Sequence, residues 1–349
     1  MDYTQHFSTK ETPQSQPIPG RNDMVANSAG GYTFEISPWQ RLERFLILGS
    51  EGGTYYSSEK KLTKENAENV IKCIALDGKR TVDEIARVSH NNLAPKNDPA
   101  IFGLALCMTF GDNDTRYYAY NNLTKVCRIG THLFTFCTAI QSLRGWSAGL
   151  RKSVQGYYSQ RDATSLVYDL LKYPSRGGFA HRDVLRLAHL RPKDELQRRI
   201  LGYAVGRTEE DYLTAHPMIE AVELLRNSTV PQAVNLITEH KLPREVVPTA
   251  LLNDKRIWEA LLPHMPLTAM MRNLNKMTSV GLIEHNLSDA TRLIEAKLAS
   301  PDDIRRARIH PFNALMSYAT YSKGKGVKGS LTWNPVPRIS AKLEDVTKA

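Results

Sequence analysis

The sequence has 349 residues, 41% of them hydrophobic and 23% charged, with 46 Lys plus Arg against 36 Asp plus Glu. The formal charge is +10 and the isoelectric point is near 9.3. This argues against a disordered chain, a collagenous chain and a small disulfide scaffold, and it makes an anionic partner worth seeking: nucleic acid, an acidic protein or a membrane surface.

Residues 1–36 are rich in Ser, Thr, Gln, Asn, Pro and Gly and read as a flexible arm, in which GGYTFEI at 30–36 can form a short extended piece. No basic segment is followed by an apolar run there, so no secretory signal is expected. No run approaches the roughly 18 apolar residues of a spanning helix. A soluble, cytoplasmic protein with no membrane partner is expected. Cys73, Cys107, Cys127 and Cys137 form no C-x-x-C pair and sit among apolar neighbours, the setting of buried reduced thiols.

From Pro38 onward the pattern becomes helical. WQRLERFLIL places Leu42, Phe45 and Leu46 on one face, and Gly49 stops it. LTKENAENVIKCIAL reads as a helix capped by Thr63 and ended by Gly78. TVDEIARVSH has Thr81 as its cap, with Glu84 at the capping-box spacing. Asp98-Pro99 opens DPAIFGLALCMTF. Further runs follow to HPFNALMSYATY, separated by short Gly, Pro, Asn or Ser breaks. Sustained period-2 alternation is nearly absent, so the fold class is all-α. Many short helices on short loops suit a stack of helix pairs. A HEAT-like unit takes about 40–47 residues, which allows roughly seven. No sequence period is visible.

The charge is uneven. Residues 144–207 carry thirteen basic side chains against five acidic ones, and 302–349 carry nine against four. Such runs are commonly solvated helix faces. The first, however, also holds Trp146, Tyr157, Tyr158, Tyr173, Phe179, His181 and His189. Basic groups neutralise phosphates, and aromatic planes stack on unpaired bases.

Catalytic motifs are lacking. There is no phosphate-loop pattern, no dinucleotide fingerprint and no nucleophile elbow. GKGVKG at 324–329 reads as a basic loop, and SEGGTYY at 50–56 as a tight turn or an anion-facing one. His181 and His189 are eight apart, roughly 12 Å along a helix, too far to share a metal ion. No cofactor, no metal and no enzymatic activity are expected.

The segments RFLILGSEGGTYY (44–56), VCRIGTHLFTF (126–136), LKYPSRGGFAHRDVLRLAHLRP (171–192), MPLTAMMRNLNKMT (265–278) and ARIHPF (307–312) resemble the TROVE module of Ro autoantigen-like RNA-binding proteins. The resemblance runs in order from about residue 25 to about 338, and NSAGGYTFEI looks like bacterial or phage members. It implies a ring of HEAT-like repeats over 37–338, with 339–349 a short tail. It further implies that single-stranded 3′ ends of misfolded or structured RNAs enter a basic hole. Y-like noncoding RNA would bind the outer surface, in RNA quality control or maturation. A 3′-to-5′ exonuclease is then a possible partner through the RNA, and a monomer is expected.

By this resemblance the RNA-contact positions fall on Lys172, Arg176 and His189. Arg182, Arg186 and Arg191 are added by charge and proximity. Lys172 can instead be a helix C-terminal charge, Arg176 a solvated loop residue and His189 an interhelical histidine. Arg272, Lys276, Arg308 and His310 lie in matching segments that also hold expected core residues. Thr131 and His132 read as cap and packing residues. Longer members carry a von Willebrand factor A domain after the segment here written LTWNPVPRI, with an Asp-x-Ser-x-Ser metal motif that this sequence lacks. That domain helps join the ends of the ring. Closure here is therefore open between directly meeting ends, a C-shape and a separate chain. The competing reading is a helical-repeat scaffold whose groove holds an acidic protein.

Overall fold

A computed structural model describes residue 13 and residues 15–50, 58–284, 288–326 and 331–348. A small hairpin opens it. Strand β1 (Met24–Ala26) runs antiparallel to β2 (Tyr32–Phe34), with Met24 opposite Phe34. Beside the hairpin Arg21 pairs with Asp23 at 2.6 Å and lies over the Phe34 ring.

Twenty helices follow among the described residues. They are α1 (Pro38–Leu48), α2 (Glu59–Leu76), α3 (Gly78–His90), α4 (Asp98–Phe110), α5 (Asn113–Asn121), α6 (Leu123–Val126) and α7 (Gly130–Leu143). Next come α8 (Ala148–Ser159), α9 (Ala163–Lys172), α10 (His181–Ala188), α11 (Glu195–Ala204), α12 (Glu210–Leu213), α13 (Pro217–Leu225) and α14 (Val230–His240). The last are α15 (Lys255–Leu261), α16 (Leu267–Ser279), α17 (Asp289–Ala299), α18 (Pro301–Ala307), α19 (Pro311–Ser322) and α20 (Pro337–Lys348). A two-residue ladder, β3 (Ser175–Arg176) with β4 (Phe179–Ala180), joins α9 to α10.

Most of the helices bury one stripe against their neighbours, so one apolar core runs along the stack. Helix α4 is an exception. It is apolar on all sides, as a helix must be when covered all round, and packs against α2, α3, α5 and α7. All four cysteines are buried and unpaired.

The stack closes on itself. Arg308 donates its Nη1 to the His90 carbonyl at 2.7 Å, Asn92 donates to the Arg308 carbonyl, and Asn313 donates to the Pro95 carbonyl at 3.5 Å. The α18–α19 connection therefore meets the α3–α4 connection directly.

Four helices end in the same way. Asn92, His189, Lys241 and Arg308 adopt φ of 53°, 50°, 52° and 49°, the only positive values at non-glycine residues among those described. The next amide in each case (Leu93, Leu190, Leu242, Ile309) donates to the carbonyl five residues back. This satisfies carbonyls that a helix end leaves orphaned. A proline follows two or three residues after the left-handed position, at Pro95, Pro192, Pro243 and Pro311.

Several local expectations are corrected. Helix α2 starts at Ser58, whose side chain accepts from the Lys61 amide, not at Thr63. Gly78 does not end α2 but begins α3. Asp77 serves both helices: its amide bonds the Cys73 carbonyl and its side chain accepts from the Arg80 amide. Gly78 is needed there because a Cβ would lie 1.9 Å from Thr115 Oγ1. Thr81 sits inside α3, with its hydroxyl on the Asp77 carbonyl. The segment 339–349 is not a tail: α20 buries Ile339, Leu343 and Val346 against α17 and α19. Most of SEGGTYY, and 327–329 of GKGVKG, lie outside the described residues.

Candidate nucleic-acid interface

Helix α10 is strongly two-sided. His181, Val184, Leu185 and Ala188 are buried, while Arg182, Arg186 and His189 are exposed. Arg182 and Arg186 are four residues apart and share one side of the helix, and His189 follows at its end. Among the described residues Arg186 has no carboxylate partner, and neither does the exposed Arg191 beyond it. Arg182 pairs with Asp183 at 3.4 Å. His189 is not within the helix as expected; it is the left-handed residue that ends it.

A buried polar layer sets the position of this face. Tyr157 on α8 donates to Asp169 on α9 at 2.8 Å, and the Gly130 amide at the start of α7 donates to the same carboxylate at 3.3 Å. Tyr158 Oη lies 3.0 Å from His181 Nδ1. Burial pushes His181 down to about 4, so it is neutral at pH 7 and supplies no charge. Burial also raises Asp169 above the usual carboxylate range.

The hairpin before α10 carries Arg176, exposed and opposite Phe179. Gly177 and Gly178 turn it with φ of 59° and 85°, and Thr138 on α7 donates to the Gly177 carbonyl at 3.2 Å. Lys172 faces a different group. Its Nζ lies 3.1 Å from Tyr168 Oη and over the Tyr168 and Tyr173 rings. It lines a narrow cavity with Lys241, Arg244, Glu245 and His264. The structure thus gathers Arg182, Arg186 and His189, places Arg176 in the turn leading to them, and gives Lys172 separate cationic neighbours. Among the described residues no group of three or more His, Cys, Asp or Glu is placed to hold a metal ion, and no helix is long and apolar enough to cross a membrane.

The family model of the TROVE domain matches residues 25–223 and 238–344. The chain belongs to the TROVE domain family. It is 34% identical to the RNA-binding protein RO60 of Caenorhabditis elegans, over 93% of this chain and 62% of that protein. It is 32% identical to the RNA-binding protein RO60 of Deinococcus radiodurans, over 95% of this chain and 63% of that protein. The crystal structure of the Deinococcus radiodurans RO (RSR) protein superposes with a TM-score of 0.70 at 32% identity, covering 89% of this chain and 63% of that one. The chain therefore spans a little under two thirds of the length of these relatives.

The structure also brings forward Arg128, which the sequence motifs did not single out. Arg128 lies between buried Cys127 and Gly130, and its buried Nε has no hydrogen-bond partner among the described residues. Burial and the charge of Arg308 hold its pKa below the usual guanidinium value. His132 is pushed down to about 4 by burial and by the charges of Arg128 and Arg176. Arg308 and Arg272 line a cavity of about 310 Å³ between α16 and α19, with Asn275 and Asn313. A basic residue flanked by apolar ones, as in VCRIG, was the available signal for Arg128.

Proposed function

We propose that this TROVE chain binds noncoding RNA. The observation that carries the reading is the exposed Arg186 and His189 of α10, with exposed Arg176 and Arg191 in the segments before and after it, whose arginines no carboxylate of the described residues neutralises. Arginines there contact phosphates, and His189 donates to phosphate or stacks on a base. Lys172, with Lys241 and Arg244, extends the phosphate contacts to the neighbouring cavity. The relatives' description as RNA-binding proteins supports this reading.

In finer form, single-stranded 3′ ends of misfolded or structured RNA enter the basic hole of a monomeric ring, and Y-like RNA binds outside. The role is RNA quality control or maturation, with a 3′-to-5′ exonuclease reached through the RNA. Filter binding of an RNA with a single-stranded 3′ tail tests it. Submicromolar affinity that weakens steeply with salt is expected. The combined Lys172→Ala, Arg176→Ala and His189→Ser variant should lose most of it. Unchanged affinity in the folded variant would sink the site assignment.

A further inference from the structure

We propose that Lys241 and Arg308, the counterparts of His189 at the ends of α14 and α18, are further contacts for the RNA backbone. With His189 they make a series of phosphate-binding positions around the ring. This inference rests on the RNA reading above and extends it to two residues outside the first basic face.

Three observations carry it. The first is backbone conformation. The left-handed position that ends a helix belongs to glycine, because a Cβ is disfavoured there. This chain uses glycine for the same ending elsewhere: after α11 and α16, Gly206 and Gly281 have φ of 90° and 76°, and the next amides, of Arg207 and Leu282, bond carbonyls five residues back. At His189, Lys241 and Arg308 the same turn instead carries a basic side chain, all three exposed. A disfavoured conformation kept at equivalent places points to a use for the side chain.

The second is electrostatic. Among the described residues neither Lys241 nor Arg308 has a carboxylate partner, and each stands beside other cations. Lys241 shares its cavity with Lys172, Arg244 and His264, against the single acid Glu245. Arg308 shares its cavity with Arg272, and its charge bears on the half-buried Arg128. Like charges held together without acids are stabilised by an added polyanion.

The third is placement. In a stack of repeats, equivalent helix ends lie along one edge. Lys241 lies beside Lys172. Arg308 bears on Arg128, whose charge together with that of Arg176 bears on His132. Lys241 therefore borders a position assigned to RNA above, and Arg308 adds its charge to the same cationic region.

Glycine suits the left-handed backbone at both positions, and Arg308→Gly also removes the hydrogen bond to the His90 carbonyl. The variants are Lys241→Gly, Arg308→Gly, the double variant, and the charge-preserving Lys241→Arg with Arg308→Lys. Each is titrated with a tailed single-stranded RNA over a salt series, and its thermal midpoint is measured without RNA. The double glycine variant should lose no more of its midpoint than the one hydrogen bond to His90 costs, bind about tenfold more weakly at low salt and reduce the salt slope by about 1.4, roughly 0.7 for each single-strand phosphate left without its cation. The charge-preserving pair should bind like the wild type. A double glycine variant with wild-type affinity and slope overturns the inference, and so does weakened binding in the charge-preserving pair. If the wild type binds while the Lys172, Arg176 and His189 triple variant and the double glycine variant both bind equally well, both assignments fail. If only the triple variant loses binding, the RNA site stands and this extension falls.

Discussion

Gln155 on α8 donates its side-chain amide to the carbonyl oxygens of Ala188, at 2.9 Å, and His189, at 3.3 Å. Arg151, one turn earlier, donates to the Leu187 carbonyl at 3.1 Å. The end of α10 is thus held by a neighbouring helix, and the strained backbone of His189 is supported from outside. Gln155→Ala should leave these carbonyls to water and cost about 1 kcal/mol. It should also weaken RNA binding less than His189→Ser does. Urea denaturation and filter binding on the same preparation check both; a variant with wild-type stability would show that the bonds to α8 contribute nothing net.

Arg186 and Arg182 lie on the same exposed side of α10, yet only Arg182 has an acid beside it. An exposed pair of this kind is worth little to folding, but it dilutes the charge available to phosphate. Arg186→Gln is therefore expected to lower both RNA affinity and the salt slope more than Arg182→Gln. Equal effects would mean that Asp183 does not shield its neighbour.

Acid should unfold the protein through its buried histidines. In the unfolded chain an imidazole takes up a proton near 6.5, whereas His181 and His132 resist it until about 4. Between those values the unfolded state binds more protons, so stability is full above 6.5 and falls as the pH drops toward 4. The loss at the bottom of that window is about 3 kcal/mol for each histidine. Urea midpoints at pH 7 and pH 4.5 give the slope. His181→Gln should flatten it even where it lowers stability at pH 7; an unchanged slope would assign the acid sensitivity to other groups.

The buried thiols should be silent in the folded protein. Burial raises Cys107, Cys127 and Cys137 far above the ordinary cysteine range, so almost no thiolate exists at pH 8. Cys73 is also buried, with its sulfur 3.4 Å from the Pro38 carbonyl. A thiol reagent should react with none of them until denaturant is added, and then with all four. Rapid labelling of one cysteine in the native protein would reveal local opening of its helix.

Amphipathic spacing was legible wherever local periodicity decides structure. Leu42, Phe45 and Leu46 are buried on α1 as read, and Pro38 opens that helix. Helix boundaries were less legible where two helices share a capping residue, as Asp77 shows: its dual role depends on α3 turning back, and Gly78 on the approach of Thr115. The shared helix ending was hidden for a related reason. Its mark is a backbone conformation, met in turn by Asn92, His189, Lys241 and Arg308, and side-chain identity does not display it.

By itself the sequence determined an all-α chain, four unpaired thiols, the concentration of positive charge in 144–207 and the family motifs, because each is a property of composition or of neighbours within a few turns. Only the tertiary structure decided that Arg308, Asn92 and Asn313 join the α18–α19 connection to the α3–α4 connection. The same is true of His181, buried and neutral, while His189 is exposed at a helix end, and of Arg128, placed next to Arg308. Those facts join residues up to about 218 positions apart. Whether a basic side chain meets an acid, a carbonyl or only another cation is set by the packing of helices that no local pattern brings together.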